Sequence, residues 1–154
     1  SASEGGALTC GKTVRQRMMK TGKEIQGDVM DLLRGSGLAD MVSGEVYRNG
    51  CRLRDSKLED IIVTFTAGLS EQIQTGVVTV NIYVPDIDPW KNGVLVEDGA
   101  RCAEIERAAA EWVERLTAAK SNYRFSLNQT IATYESMEVN QHFVCVKLKY
   151  ELFE

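Results

Sequence analysis

Val77-Val78-Thr79-Val80-Asn81-Ile82-Tyr83-Val84 alternates without a break: Val78, Val80, Ile82 and Val84 share one face of an extended chain, and Val77, Thr79, Asn81 and Tyr83 the other. β-Branched and aromatic side chains at period two suit a pleated surface, so this stretch predicts a strand. Residues 61–66, Ile-Ile-Val-Thr-Phe-Thr, have the same character, and the segment from Gly68 to Thr75 is long enough to turn the chain back. An antiparallel pair follows, because a parallel pair needs a longer crossover.

Downstream, residues 85–98 hold both prolines, Trp90 and the turn signal Asn92-Gly93. Irregular segments of this length are uncommon in a compact domain and often functional. The next stretch, residues 99–120, changes period. Cys102, Ile105, Ala109, Trp112, Leu116 and Ala119 fall on one helical stripe, while Arg101, Glu104, Arg107, Glu111 and Glu114 lie largely elsewhere. This is the pattern of a helix packed on a sheet. Alternation then returns, with Phe125, Leu127, Gln129, Ile131 and Thr133 in one strand and Val144, Val146, Leu148 and Tyr150 in another. Both can exceed the usual five or six residues, which predicts a hairpin running beyond the sheet or an edge awaiting a partner. Lys147 and Lys149 on the opposite face would guard against indiscriminate pairing.

Upstream, Val14, Met18, Ile25, Val29, Leu32 and Leu33 have helical spacing, weakened by Gly22 and Gly27 and stopped by Gly35, Ser36 and Gly37, where glycine can adopt the left-handed closing conformation. A short apolar turn over residues 38–42, a brief strand over 45–48 and a polar stretch with the turn signal Asn49-Gly50 follow. The order is α-β-β-β-α-β-β: an α+β domain with a mainly antiparallel sheet and helices packed on one face. Residues 1–12, small and Gly-rich, read as a flexible arm, and residues 13–154 as a single domain.

At 154 residues the chain is long enough to bury a sizeable core without staples. Its net charge of −4 and pI near 5.2 argue against the broad basic surface that binds nucleic acid, so no direct sequence-specific nucleic-acid binding is expected. No apolar run approaches membrane-spanning length, and a cytosolic chain with no membrane partner is expected. Cys10, Cys51, Cys102 and Cys145 are far apart, so reduced thiols are expected and no zinc or redox motif is suggested.

Four features invite a chemical reading. Residues 6–13 match the text of a phosphate loop ending in Lys12 and Thr13, but a working loop follows a strand, and only five residues precede this one. His142, the single histidine, has no cysteine or carboxylate at a familiar catalytic spacing and reads as structural or exposed. Asp86, Asp88, Glu97 and Asp98 could ligate calcium, yet their spacing does not fit the calcium loop; Asp98 reads better as a helix cap. Arg48, Arg52 and Arg54 form a basic loop that could meet Asp86 and Asp88 of a neighbouring copy, with Trp90 as an interface anchor. No catalytic residue, cofactor or metal ligand is assigned. The alternatives are a small ligand-binding α+β module, with its pocket between the residue 100–116 helix and the sheet, and a nucleotide-binding protein using Lys12 and Thr13.

From Asp28 to Leu152 the layout resembles the tail-completion, or tail-terminator and head-tail joining, proteins of long-tailed bacteriophages and prophages. Val29-Met30-Asp31-Leu32-Leu33, then residues 38–47, Leu-Ala-Asp-Met-Val-Ser-Gly-Glu-Val-Tyr, carry the helix, turn and first strand of that resemblance, and the later elements keep its order. It implies a virion structural subunit, assembled in the bacterial host cytoplasm, that self-associates into a ring, commonly hexameric, and touches tail-tube and neck proteins. The segment before Asp28 and the loop over residues 85–98 are longer than that compact pattern.

Overall fold

A computed structural model describes residues 19–153 of the chain. The proposed arm, the phosphate-loop text, Cys10 and the helical positions Val14 and Met18 lie outside the described residues.

Helix α1, Gly22–Arg34, starts at a capping box: the Thr21 hydroxyl accepts from the Glu24 amide at 3.3 Å, and the Glu24 carboxylate accepts from the Thr21 amide at 2.8 Å. Gly22 therefore stands in the first turn, where an added Cβ would lie 3.0 Å from the Phe65 ring. Ile25, Val29, Met30 and Leu33 face the core, whereas Leu32 is exposed, a correction to the predicted stripe. The helix also stops differently from expectation, because Gly35 has φ −95° and is not left-handed. Ser36 makes the break: its hydroxyl donates to Leu33 O and accepts from the Ala39 amide, ending α1 and capping α2, Gly37–Met41. A helical turn thus replaces the predicted apolar turn.

Strand β1, Val46–Arg48, runs parallel to the start of β2, Ile61–Leu69. β2 forms the expected antiparallel hairpin with β3, Gln74–Pro85, with a register shift between Phe65 and Ala67. Helix α3, Gly99–Ala118, leads to β4, Tyr123–Leu127, and β5, Ala132–Glu135, and the chain ends on β6, Gln141–Leu152. The sheet has six strands in the order β1-β2-β3-β6-β4, with β5 beside β4 on the same flank of β6. The single strand predicted over residues 125–133 is two strands. Leu127 pairs with Leu148 and Ala132 with Cys145, so this chain advances five residues while β6 advances three, and the polar Asn128-Gln129-Thr130 segment takes up the excess.

Cross-strand partners share a face, so Ile61, Val63, Val80, Ile82, Val84, Val144, Val146 and Leu148 form one apolar layer beneath α1 and α3. Cys102, Ile105, Ala109, Trp112 and Leu116 fill the space against it as expected, joined by Val113, while Ala119 is the exposed C-cap. The opposite face has no helix over it among the described residues. It carries an aromatic row, Tyr83, Phe143 and Tyr134, with neighbouring ring centroids 5.5 and 5.9 Å apart.

Candidate functional site

Three connections meet at the end of the sheet where β2 and β6 begin and β3 ends: residues 49–60, 86–98 and 136–140. What ties them is buried charge. The Asp60 side chain is 1% exposed and accepts from the Glu45 amide at 3.1 Å, Arg52 Nε at 2.7 Å and the Ser56 hydroxyl at 2.5 Å. Arg52 also donates to Leu58 O and to Gln141 Oε1 and stacks 4.4 Å over the Tyr83 ring. Gln141 returns a bond to Ser56 O at 2.7 Å. A buried carboxylate is costly unless its lone pairs find donors, and this one accepts from three.

Beside it, Arg101 of α3 grips Glu59 with two parallel bonds of 2.7 and 2.8 Å and donates to Met41 O, drawing α2, α3 and the 49–60 segment together. The hydrogen bonds from Arg101 hold the Glu59 carboxyl below the usual glutamate range. Neither Asp60, Gln141, Glu59 nor Arg101 was marked by sequence spacing. Their partners are up to 89 residues away, and no local signal encodes the meeting.

His142 has more company than its sequence neighbourhood offers. Nδ1 lies 2.7 Å from Asp86, a hydrogen bond that ties the start of the 86–98 segment to β6, and Nε2 lies 3.6 Å from Glu97 near its end. Between them Ile87 and Val96 exchange backbone bonds of 2.9 and 2.8 Å, and Asp88 accepts from the amides of Asn92 and Gly93. Gly93 has φ 83° and Lys91 φ 53°, both in the left-handed region that a tight turn requires. The segment is thus a small ordered arm. Four of its apolar side chains stay outside: Trp90 is 69% exposed, and Ile87, Val94 and Leu95 are exposed too, while Val96 is half-buried. Asp98 caps α3, accepting from the Arg101 amide at 3.2 Å, as expected.

The basic and acidic residues read as interface candidates are therefore used in different ways. Arg48 turns to α1, donating to Gln26 Oε1 at 2.6 Å and Lys23 O. Arg52 is committed inward, Asp86 to His142 and Asp88 to its own turn. Arg54 and Trp90 remain on the surface, Arg54 lining a groove of about 520 Å³ with Lys57, Asp86, Leu95 and Glu138. Both charged loops stand at the same end of the molecule.

Burial, followed by the charge of Glu97, pushes the Cys102 thiol up to about 11, and burial raises Cys145 as well, which keeps both as thiols. Among the described residues no group of three or more His, Cys, Asp and Glu side chains is placed to hold a metal ion, and no helix is long and apolar enough to cross a membrane. Between α3 and the sheet, Ile105 and Trp112 are 0% and 2% exposed, and a hollow of about 360 Å³ opens beside them between Ala103, Glu106 and Arg107 of α3 and Leu127 and Ile131.

No family model matches the chain, and no curated protein matches it. Among solved structures it is similar to one that bears no functional name, at 15% identity and TM-score 0.44, over 84% of this chain and 91% of that one.

Proposed function

We propose that the chain is an assembly subunit whose work is pairing with other proteins, and that it serves in the tail or neck of a phage or prophage as one member of a ring capping the tail tube. The observation that carries the pairing role is the 86–98 arm. Its polar groups are spent on fixing its own shape, while Ile87, Trp90, Val94 and Leu95 are held outside an ordered backbone. An anchor fixed before contact loses little entropy on binding, and tryptophan is enriched among residues that dominate interface energies. The placement in a phage tail rests on the sequence layout from Asp28 to Leu152.

Negative-stain electron microscopy of the purified chain tests the reading: it predicts closed rings of uniform diameter. Trp90→Ser with Val94→Ser is expected to weaken association with its partner proteins at unchanged thermal midpoint. Dispersed single particles of about the monomer's size at every concentration would contradict ring formation.

A further inference from the structure

His142 is the one histidine of the chain, and it stands where the two ends of the 86–98 arm come together. The arm's ends are joined through the backbone by one bridge, Ile87 with Val96. One step outward the Asp86 amide turns away to Asn140 O, and the imidazole takes over. Its Nδ1 lies 2.7 Å from the Asp86 carboxylate and its Nε2 3.6 Å from that of Glu97. The His142 and Asp86 side chains are 16% and 10% exposed, and Glu97 is 43% exposed.

The short bond settles the tautomer. An ionised carboxylate only accepts, so the proton of the neutral ring sits on Nδ1 and is donated to Asp86. Nε2 then carries a lone pair on the side where Glu97 stands, and two acceptors with no proton between them repel. A proton taken from water at Nε2 reverses the sign: the cationic ring donates at both nitrogens, and the 3.6 Å contact becomes an ion pair. The neighbouring elements add more carboxylates. Glu135 of β5 stands opposite His142 in the sheet, while Val84, its partner on β3, is apolar. Near the start of α3, Asp98 and Glu106 accept from the Arg101 amide and the Thr133 hydroxyl, and Asp88 is tied to its own turn. The cations at this end are engaged elsewhere: Arg101 grips Glu59, and Arg54 and Lys57 border the groove that Asp86 and Glu138 also line. Among the described residues Glu97 has no ion-pair partner other than His142.

We propose that His142 is a proton-operated latch on the arm. Protonation at Nε2 draws Glu97 toward the ring that already holds Asp86, and so fixes the backbone that presents Ile87, Trp90, Val94 and Leu95. Pairing through that surface strengthens as pH falls through the range in which histidine gains its charge, because an anchor already held in shape loses less freedom on contact. The latch rests on the assembly-subunit reading above and adds its regulation.

Hydrogen exchange resolved to single amides tests it, on the whole chain between about pH 8 and about pH 5.5 and corrected for the intrinsic rate at each pH. The ring's own protonation is followed by NMR, where a single histidine leaves no ambiguity of assignment. The amides of Ile87 and Val96 bond each other's carbonyls, and their protection is expected to rise about two- to fivefold as the ring protonates, the factor a partly exposed ion pair supplies. Glu97→Gln keeps the side chain's size and removes its charge, and in that variant protection is expected to stay level. Light scattering at the two pH values reads the pairing: the oligomer population is expected to rise more at the lower pH in the native chain than in Glu97→Gln. Protection that stays level in the native chain, or rises equally in Glu97→Gln, overturns the latch and leaves the assembly reading standing. A closing latch with equal rises in oligomer population overturns its link to pairing. A chain that remains monomeric at every concentration overturns the assembly reading and that link together, and the two amides then decide the latch alone.

Discussion

Replacing Arg52 should unfold rather than disassemble. Its guanidinium is the charge partner of Asp60, whose side chain is 1% exposed, and its own side chain is 12% exposed. Arg52→Met would leave the carboxylate buried with only the Glu45 amide and the Ser56 hydroxyl, and would free Gln141 Oε1 and Leu58 O as well. Removing one partner of a buried pair costs about 3–5 kcal/mol, most of it the stranded charge. For a domain of this size each kcal/mol moves the thermal midpoint by about 2–4 °C, so a fall of roughly 6–20 °C is expected. Asp60→Asn keeps an acceptor for the Glu45 amide and removes the charge, so the double variant Arg52→Met/Asp60→Asn should lose less than the sum of the singles, with a coupling of at least about 2 kcal/mol. Urea denaturation of the four proteins supplies the cycle. A cost below about 1 kcal/mol for Arg52→Met, the level of an exposed ion pair, or additive singles, would refute the reasoning.

Gly76→Ala places a Cβ 2.1 Å from Ala67 O and 2.7 Å from the Tyr150 hydroxyl and should cost more than about 2 kcal/mol, whereas Gly35→Ala meets nothing within 4 Å and should stay within about 0.5 kcal/mol; chemical denaturation separates them. Among the described cysteines, exposed Cys51 should be alkylated in the native protein, and Cys102 and Cys145 only after unfolding, as mapped by peptide mass. Because Arg101 holds Glu59 below its ordinary range, the stability it lends is fully present above that range and is lost as pH falls through the lowered value. The acid limb of stability against pH should accordingly be steeper for the native chain than for Glu59→Gln, and equal slopes would remove Glu59 from that account.

Where hydrophobic period is long and clean, sequence and structure agree. Val78, Val80, Ile82 and Val84, and Cys102, Ile105, Ala109, Trp112 and Leu116, all reach the core, because burial on one face is what keeps such a period in place. Local rules failed at shorter range. Gly35-Ser36-Gly37 looked like a glycine stop, yet the serine hydroxyl ends one helix and starts another. The strand over residues 125–133 looked continuous because its alternation survives a step of five residues against three. The candidate site was legible in part: its loops and Trp90 stood out as irregular, apolar and charged. The pairing of charges did not, since Arg52 with Asp60, Arg101 with Glu59 and His142 with Asp86 depend on which strand ends the fold brings together.

The central claim is that copies of this chain pair with one another, and absolute mass by light scattering across a concentration series tests it most directly. The account predicts one discrete oligomer, a whole-number multiple of 17.1 kDa, whose population grows with concentration. A mass of 17.1 kDa at every concentration would contradict it.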